Sequence, residues 1–513
     1  MSFSRAVRTA KAENTRFVVR FETIGCKLNQ MESEAAARSF ADCGFDCRMG
    51  AFNSASPVDT GTVLCVVNTC TVTAKAEQKC RRLIRLLLQK CPAAAVLVTG
   101  CYAQLEAKEL SAISDRIAVL LGRDKDMLAV LPRFLRETMP CENGAALAEH
   151  LRHLCTFSSN QNSVKPAVFT LATDTFLRHS RPSLKIQDGC NCRCTYCRIC
   201  LARGQSVSLD PNEILERVLQ LEKSGHREVV LTGVNLSQYS APQTLGAAAD
   251  GKNSALFAKK HASGKKEVFG IARLLAFLLE HTETLSFRLS SLHPQSITDE
   301  LCEVLKKDRV RPHFHLSVQS GSDRILSAMG RSYTVHDVTN ALRRLRSAKK
   351  NPFIACDIIA GFPGETDEDF NATFELCKNG TFSWVHAFSF SPRPGTKAFE
   401  MKTTVSPETA KKRVRLLTDL AAAQKRAYIE SCIGTKVKAV VEKYRKGNVR
   451  AVTENFLHVR IIEQKQGVLK DHSAAGGVNI AAAGGSEVAV CIQAVYEKGL
   501  CGEEYEADAV LCR

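Results

Sequence analysis

Three cysteines near the middle of the chain have a spacing that suits metal chemistry. Residues 185–204 read KIQDGCNCRCTYCRICLARG, in which Cys190, Cys194 and Cys197 place three thiolates on one short loop. Four-iron clusters are held by cysteine thiolates, and four is the usual number of ligands. Three ligands would leave one iron open, and an open metal position is where a substrate or cofactor can coordinate.

Two features of this loop leave other interpretations open. Cys192 and Cys200 lie beside the three spaced cysteines and could compete with them as ligands. Cysteine clusters of similar spacing also bind structural zinc. The context favours iron, because the loop follows the apolar segment Leu184–Ile186 at the start of a strand-and-helix series.

Three more cysteines each follow a predicted strand in the N-terminal part of the chain. They are Cys26 in TIGCKLNQ, Cys70 in NTCTVT and Cys101 in TGCYAQ. A doubly wound sheet binds ligands at the carboxyl ends of its strands, so the three thiols could meet at one point. That convergence would suit a second iron–sulfur cluster, although three unrelated buried cysteines could have the same spacing.

Alternating strands and helices must position these cysteines. In the N-terminal part, strands are predicted at Arg16–Ile24, Thr62–Val67 and Ala95–Thr99, with a helix at Ala74–Gln89. A strand–helix–strand rhythm implies a parallel sheet. Residues 141–182 have little periodic signal and are predicted to be a linker.

A longer series of the same kind follows the linker. The predicted strands are Glu228–Thr232, Leu285–Leu289, His313–Ser317, Phe353–Ile359 and His386–Phe390. Helices are predicted between them, for example at Pro211–Ser224 and Val335–Ser347. Successive parallel strand–helix units suggest a full or partial barrel, which binds ligands at the C-terminal edge of its strands. Residues 241–268 are rich in Ala, Gly and Lys and are predicted to be a surface insertion.

The C-terminal part has a different pattern. A basic helix is predicted at Pro407–Tyr428 and is interpreted as a connector. Short alternating strands are predicted after it, at Lys436–Glu442, Val449–Thr453, Leu457–Ile462 and Glu487–Val495. This pattern is typical of a small β-barrel, a fold that often binds nucleic acid.

Charge and cysteine content indicate the surroundings of the chain. The formal net charge of +17 and the pI near 9.1 favour a polyanionic partner such as nucleic acid. The chain has 22 cysteines, yet its first twenty residues hold no apolar export signal and no run of eighteen apolar residues occurs. We therefore expect a cytoplasmic protein with no membrane contact, whose cysteines are reduced thiols or metal ligands.

At its cysteine motifs the sequence resembles the radical S-adenosylmethionine methylthiotransferases, over about residues 16–462. The segments TIGCKLNQMESE, NTCTVTAKAEQKCRRLIR and KIQDGCNCRCTYC are most similar to the branch that acts on threonylcarbamoyladenosine in tRNA. Branches that act on isopentenyladenosine tRNA or on a ribosomal protein remain alternatives. A zinc-containing RNA-binding protein without enzymatic activity is an alternative of another class.

The resemblance implies an α/β fold in three domains. They are an N-terminal methylthiotransferase domain (15–140), a partial radical (β/α) barrel (183–405) and an all-β TRAM-like RNA-binding barrel (434–513). A linker (141–182) and a connector helix (406–433) join them. The implied activity is a transferase that adds a methylthio group to carbon 2 of N6-threonylcarbamoyladenosine beside the anticodon. A base in a single-stranded loop can be splayed into an active site.

The same resemblance implies two 4Fe–4S clusters and S-adenosylmethionine as cofactors. Cys190, Cys194 and Cys197 would hold one cluster, and Cys26, Cys70 and Cys101 the other. The candidate S-adenosylmethionine contacts are Tyr196, Thr232, Gly233, Ser290, Ser291 and Gln319. No catalytic residue is predicted beyond the cluster ligands. The implied partners are tRNA, held by Lys443, Arg445 and Lys446 among others, and an electron donor such as flavodoxin or ferredoxin.

The sequence departs from the family pattern near the first loop. Cys192 stands where the family usually has Asn, and Cys200 and Leu201 stand where it usually has Pro-Tyr. His293 stands where the family usually has Glu. The cofactor contacts around His293 are therefore in doubt, whereas all six predicted cluster cysteines are present.

Overall fold

The computed structural model divides the chain into two compact units. It describes residues 17–139, 141–160, 169–171, 181–242, 268–380, 382–402, 405–442, 449–462, 485–496 and 506–512. The first unit is Met1–Leu177 together with Arg198–Gly204, and the second is Arg178–Cys197 together with Gln205–Arg513. The short segment after Cys197 thus belongs to the first unit, although its neighbours on both sides belong to the second.

The first unit is built on a five-stranded parallel sheet. Its strands are β1 (Val18–Thr23), β2 (Asp46–Met49), β3 (Thr62–Thr69), β4 (Ala95–Gly100) and β5 (Ile117–Val119). They pair in the order β2-β1-β3-β4-β5, and every pair is parallel. All six residues of β4 are buried, as expected for a strand covered on both faces. The prediction of an N-terminal parallel α/β unit is confirmed.

Seven α-helices belong to the described part of this unit. They are α1 (Lys27–Asp42), α2 (Ala74–Lys90), α3 (Cys101–Leu105), α4 (Ala107–Ser111), α5 (Leu131–Thr138), α6 (Gly144–Asn160) and α7 (Ile199–Arg203). Helix α2 begins where the Thr73 side chain accepts from the Ala76 N–H, and it buries Ile84 and Leu87 on the face toward the sheet.

Helix α6 corrects the prediction of a linker over residues 141–182. Asn143 Oδ1 accepts from the N–H groups of Ala145 and Ala146 at 3.0 and 2.9 Å, which starts the helix. Leu147 and Leu151, one turn apart, are buried in the core of the first unit. The prediction failed because this apolar stripe is narrow and the surrounding sequence has no comparable period.

The second unit contains six parallel strands that form part of a barrel. Its strands up to the connector helix are β6 (Ser183–Asp188), β7 (Val207–Ser208), β8 (Glu228–Gly233), β9 (Ser240–Pro242), β10 (Val268–Gly270), β11 (Ser286–Leu289), β12 (His313–Gln319), β13 (Phe353–Ala360) and β14 (Trp384–Ser389). Strands β11-β8-β6-β7 form one sheet and β12-β13-β14 another. An isolated parallel bridge between Leu292 and Leu316 connects them. The prediction of a partial barrel is confirmed.

Helices lie between these strands as the sequence pattern predicted. They are α8 (Pro211–Lys223), α9 (Ile271–His281), α10 (Asp299–Leu305), α11 (Asp323–Ala328), α12 (Val335–Ala348), α13 (Asp367–Asn379) and α14 (Lys397–Glu400). Strands β9 and β10 pair antiparallel at the base of the predicted insertion 241–268. Residues 243–267 of that insertion lie outside the described residues.

A connector helix and a closed barrel complete the second unit. Helix α15 spans Pro407–Cys432, four residues longer than predicted because it continues through Ile429 and Cys432, both buried. The strands β15 (Lys436–Val441), β16 (Val449–Thr453), β17 (His458–Ile461), β18 (Glu487–Val495) and β19 (Ala507–Leu511) close in the order β15-β16-β17-β19-β18. The predicted RNA contacts Lys443, Arg445 and Lys446 lie outside the described residues.

Candidate functional site

Neighbouring loops hold the first cysteine loop, which follows β6. The Thr195 N–H donates to the Met329 carbonyl at 2.9 Å, and the Thr195 hydroxyl donates to the Ala328 carbonyl at 2.9 Å. The Thr195 carbonyl accepts from the Ala398 N–H at 2.8 Å. Because this stretch contains no helix or strand of its own, these contacts fix the backbone that carries the cysteines.

The thiols of Cys190, Cys192 and Cys194 lie together on this loop. A hydrogen bond from the Cys192 thiol lowers the pKa of Cys190 to about 6 and that of Cys194 to about 6. The same two contacts raise the pKa of Cys192, which therefore stays a thiol. Asn235 Nδ2 and Gln238 Nε2 donate to the Cys192 sulfur at 3.6 and 3.3 Å. The loop thus presents two thiolates, the form of cysteine that binds metal.

Cys197 lies one turn further along the same loop. Its N–H donates to the Cys194 carbonyl at 3.1 Å. No three His, Cys, Asp or Glu side chains among the described residues are arranged to hold a single metal ion. A cubane cluster is held by cysteine thiolates spread around four irons, and Cys190, Cys194 and Cys197 supply three thiol groups on one loop. The chemistry of this donor set fits a cluster.

Two buried polar atoms, just past the ends of β8 and β11, have no hydrogen-bond partner among the described residues. They are Asn235 Oδ1 and Ser290 Oγ. Asn235 Nδ2 is also 3.8 Å from the Cys190 sulfur, so the unpaired oxygen lies on a side chain that touches the cysteine loop. A buried polar atom without a partner costs about 1–3 kcal/mol unless a ligand satisfies it. These atoms fit a bound cofactor with polar groups.

Gln187 is a site residue that the sequence did not reveal. Its side chain is fully buried, and Nε2 donates to the Gly189 carbonyl at 2.8 Å and to Ser206 Oγ at 2.8 Å. Oε1 accepts from the Asn235 N–H at 2.8 Å. A Cβ at Gly233 would lie 2.7 Å from this oxygen, so the predicted cofactor residue Gly233 must be glycine for Gln187 to fit.

Tyr196 is half-buried and packs edge-on against Phe362, with 6.4 Å between the ring centroids. Arg331 donates to the Tyr196 hydroxyl and lies 5.7 Å above its ring. Arg331 Nη1 is also 3.4 Å from His293 Nε2. Burial and the Arg331 charge lower the pKa of His293 to about 4, so at neutral pH it faces Arg331 as an uncharged acceptor. Arg331 is a second residue that the sequence did not reveal.

The other predicted S-adenosylmethionine contacts lie at strand ends of the partial barrel. Thr232 is buried near the end of β8, and Ser291 follows β11 with its hydroxyl 2.7 Å from His315 Nδ1. Gln319 ends β12 with a φ of 72°, a conformation that costs a non-glycine residue roughly 1–3 kcal/mol. The C-terminal edge of the strands thus carries these residues, as predicted from their order.

The second set of cysteines lies at one edge of the first unit's sheet. Cys26 precedes α1, Cys70 follows β3, and Cys101 begins α3 directly after β4. Since β1, β3 and β4 are parallel neighbours, their C-terminal ends lie side by side. Burial raises the pKa of Cys70 to about 12, with negative charge on Cys101 and Cys26 adding to the rise and a hydrogen bond from the Val72 N–H opposing it. The shared edge of the sheet places the three cysteines where a common cluster could bind.

Asn29 and Arg203 connect two of these cysteines. Cys26 Sγ donates to Asn29 Oδ1 at 3.4 Å, and Arg203 Nη2 donates to the same oxygen at 3.0 Å. Arg203 Nε donates to the Cys101 sulfur at 3.3 Å. Asn29 lies one turn after Cys26 in the motif TIGCKLNQ, so the sequence could have predicted it as a residue of this site. Arg203 could not have been predicted in this way, because it is distant from Cys101 in the sequence.

Two family models match the chain. One, described as the radical SAM superfamily, matches residues 184–377. The other, described as uncharacterized protein family UPF0004, matches residues 18–122. The first range contains the Cys190 loop, and the second contains Cys26, Cys70 and Cys101. The radical SAM match implies one 4Fe–4S cluster and S-adenosylmethionine.

Curated relatives extend the likeness over most of the chain. A protein of Treponema pallidum named threonylcarbamoyladenosine tRNA methylthiotransferase MtaB is 42% identical over 491 residues, which are 87% of this chain and 95% of the relative. The chain belongs to this methylthiotransferase family. A Thermotoga maritima member with the same name is 32% identical over 456 residues, 88% of this chain and 92% of that member.

Solved structures are more distant from this methylthiotransferase. A radical S-adenosylmethionine methyltransferase from Kitasatospora setae is 13% identical, with a TM-score of 0.47, and the match covers 80% of this chain and 89% of that chain. At this identity and TM-score the likeness adds nothing to the family assignment.

Within the described residues, no helix combines the length and apolar character needed to cross a membrane.

Proposed function

We propose that this chain attaches a methylthio group to carbon 2 of N6-threonylcarbamoyladenosine beside the anticodon of tRNA. The observation that carries the proposal is the 42% identity to a protein named for that substrate, over 87% of this chain. The Cys190 loop falls within the match to the radical SAM superfamily, which supports the radical half of this chemistry. Cys26, Cys70 and Cys101 fall within the second family match.

At the first centre, Cys190, Cys194 and Cys197 would hold a 4Fe–4S cluster. When bound, the cluster supplies the electron that cleaves S-adenosylmethionine to a carbon radical. Asn235 Oδ1 and Ser290 Oγ would accept from polar groups of S-adenosylmethionine, since both atoms lack partners among the described residues. Because Gly233 has no side chain, the Gln187 side chain can lie directly against it.

Arg331 is positioned to bind an anionic group of S-adenosylmethionine. Its guanidinium is half-buried and contacts the phenol of Tyr196 and the uncharged imidazole of His293. Where the family has Glu at the position of His293, that carboxylate would compete for the guanidinium. With His293 in its place, the Arg331 charge can serve the carboxylate of S-adenosylmethionine. The C-terminal edge of the barrel strands would also present Thr232, Ser291 and Gln319 to S-adenosylmethionine.

At the second centre, Cys26, Cys70 and Cys101 would hold a second 4Fe–4S cluster, the source of the inserted sulfur. The electrostatic influence of Cys101 and Cys26 on Cys70 supports a common site.

We also propose the domain bounds 15–140, 183–405 and 434–513, with the terminal barrel binding tRNA. A cytoplasmic location and flavodoxin or ferredoxin as the electron donor complete the proposal.

The tRNA nucleosides of a strain that lacks this gene test the proposed substrate. We expect 2-methylthio-N6-threonylcarbamoyladenosine to disappear, with N6-threonylcarbamoyladenosine accumulating, as measured by mass spectrometry. A plasmid copy of the gene should restore the modified nucleoside. Unchanged levels of it, together with loss of 2-methylthio-isopentenyladenosine or of a ribosomal-protein modification, would assign the chain to another branch.

Single cysteine replacements separate the two centres. We expect Cys190→Ser to abolish formation of 5′-deoxyadenosine, because the first centre cleaves S-adenosylmethionine. Cys26→Ser should still form 5′-deoxyadenosine but should lose methylthiolation. Both products are measured by chromatography after anaerobic reaction with dithionite. Full methylthiolation by Cys26→Ser would refute the second centre, and zinc without iron in the wild-type protein would refute the radical enzyme altogether.

A further inference from the structure

Arg203 brings a buried positive charge to the second cysteine centre. It lies at the end of α7, in the segment Arg198–Gly204 that belongs to the first unit. Only 5% of its side chain is exposed. Its Nε donates to the Cys101 sulfur at 3.3 Å, and this is a direct contact between a guanidinium and a proposed cluster ligand.

The same guanidinium also acts on Cys26. Arg203 Nη2 donates to Asn29 Oδ1 at 3.0 Å, the atom that accepts from Cys26 Sγ at 3.4 Å. Asn29 Nδ2 in turn donates to the Thr69 carbonyl at 3.0 Å, next to Cys70 in the chain. Arg203 therefore contacts the Cys101 sulfur directly and the Cys26 sulfur through Asn29.

The buried carboxylate of Glu32 pairs with Arg203 and with a second cation. Arg203 Nη1 lies 3.2 Å from Glu32 Oε1, and Lys125 also pairs with that oxygen. The Arg203 guanidinium keeps its contact with the Cys101 sulfur beside this pair. Three thiolates bring negative charge to the same edge of the sheet, so a positive charge here stabilises them.

Arg198, on the same segment, gives a contrast. It donates to Thr71 Oγ1 at 3.5 Å, Glu77 Oε1 at 3.2 Å and Glu106 Oε1 at 2.6 Å. These acceptors are all oxygens, and no cysteine is among them. Arg198 therefore attaches the segment to the first unit, whereas Arg203 also contacts a sulfur.

We infer that Arg203 is a positioning residue of the second centre that raises the reduction potential of a cluster held by Cys26, Cys70 and Cys101. The inference rests on the proposed second cluster. Hydrogen bonds to ligand sulfurs and nearby positive charge stabilise the reduced form, which carries one more negative charge. Without the guanidinium, the cluster would be harder to reduce.

The test isolates the second centre in the full-length chain. Replacing Cys190, Cys194 and Cys197 by Ala removes the first centre, so that reconstituted protein should hold about four irons. Into this background are introduced Arg203→Gln, Arg203→Lys and the matched control Arg198→Gln. Iron content and the midpoint potential, followed by electron paramagnetic resonance during titration with dithionite, are measured for each.

We expect Arg203→Gln to shift the midpoint to a more negative potential at full iron content, with Arg203→Lys shifted less and Arg198→Gln unchanged. If Arg203→Gln alone loses iron, the midpoint of Arg203→Lys at full iron content decides: a more negative midpoint supports the inference, and an unchanged one overturns it. An unchanged midpoint in Arg203→Gln, or equal shifts or iron losses in both glutamine variants, would overturn the inference. Absence of iron from the parent background would instead refute the proposed second cluster.

Discussion

At the scale of single residues, Cys192 is the side chain of the first loop whose role most needs a test. It lies between Cys190 and Cys194 and accepts from the amides of Asn235 and Gln238. Contact with the Cys192 thiol is the main cause of the lowered pKa values of Cys190 and Cys194. The family usually has Asn here, and an amide can donate to sulfur as a thiol does.

We therefore predict that Cys192→Asn keeps the iron of the first centre. In a background with Cys26, Cys70 and Cys101 replaced by Ala, both the parent and Cys192→Asn should hold about four irons. The matched change Cys194→Asn should remove most of this iron. Iron content and absorbance after anaerobic reconstitution are the measurements, and iron loss in Cys192→Asn would make Cys192 a ligand.

The sequence predicted the cysteines of the site better than the residues around them. Cluster ligands have recognisable spacing on one loop or at successive strand ends. Gln187, Arg331 and Arg203 have no such pattern, because each acts on a partner that only the fold brings near. Arg331 and Tyr196, for example, are 135 residues apart in the chain.

At the scale of elements, the turn between β4 and α3 determines where Cys101 lies. Gly100 has a φ of 98°, and a Cβ there would lie 2.4 Å from the Thr69 carbonyl oxygen and 2.5 Å from Asn68 Oδ1. Both contacts are too short for any side chain. Because Gly100 has no side chain, the end of β4 can lie close to the end of β3. Cys70 follows β3 and Cys101 follows β4 at this place.

We predict that Gly100→Ala destabilises the protein by several kcal/mol, since it adds a backbone clash to the cost of a positive φ. Gly225→Ala is the matched control, because Gly225 has a φ of 84° with nothing within 4 Å of the Cβ position. It should cost only about 1–2 kcal/mol. The midpoints of urea unfolding of the two variants are compared. A similar loss of stability in both would show that the close packing of Gly100 against Thr69 and Asn68 is unimportant.

Among the elements, most strands and helices were predicted, whereas helix α6 and the strands β2, β5 and β19 were not. β2, β5 and β19 have only 4, 3 and 5 residues, which is too few to show a period. They form because a neighbouring strand offers a free edge, and β19 closes the terminal barrel between β17 and β18. Such pairing is a tertiary effect that local sequence does not encode.

At the scale of the whole molecule, a buried ion network stabilises the second unit. Glu228, on β8, accepts from Arg288 Nε at 2.8 Å and from Arg311 Nε at 2.9 Å. Arg288 Nη2 also donates to the Thr453 carbonyl at 3.3 Å, and Arg311 pairs with Glu487 of the terminal barrel. Burial raises the pKa of Glu228, but the arginines outweigh it and hold the pKa at about 2.

This network predicts an acid-dependent loss of stability. Because the pKa of Glu228 is lower in the folded chain, its stabilisation is present above the ordinary value of 4.5 and is lost as the pH falls toward 2. Glu228→Gln should cost about 3–5 kcal/mol at pH 7, because it leaves two buried arginines without their carboxylate. It should also weaken the dependence of stability on pH between 5 and 2.

The exposed carboxylate of Glu213, paired with Arg217 one turn along α8, provides the control. Glu213→Gln should change stability by less than about 1 kcal/mol. Thermal unfolding of both variants across this pH range makes the comparison. Equal stability of Glu228→Gln and wild type at pH 7 would show that the ion network does not stabilise the folded chain.

The placement of Arg198–Gly204 in the first unit has a consequence for synthesis on the ribosome. The strands of the N-terminal sheet emerge first, but the arginines that meet Glu77, Glu32 and Cys101 emerge only after the Cys190 loop. At roughly 5–20 residues per second, the delay between Leu177 and Gly204 is a few seconds. During that time Glu77 and Glu32 lack these arginines, so a nascent chain stalled before Arg198 should be more sensitive to protease than one stalled after Gly204.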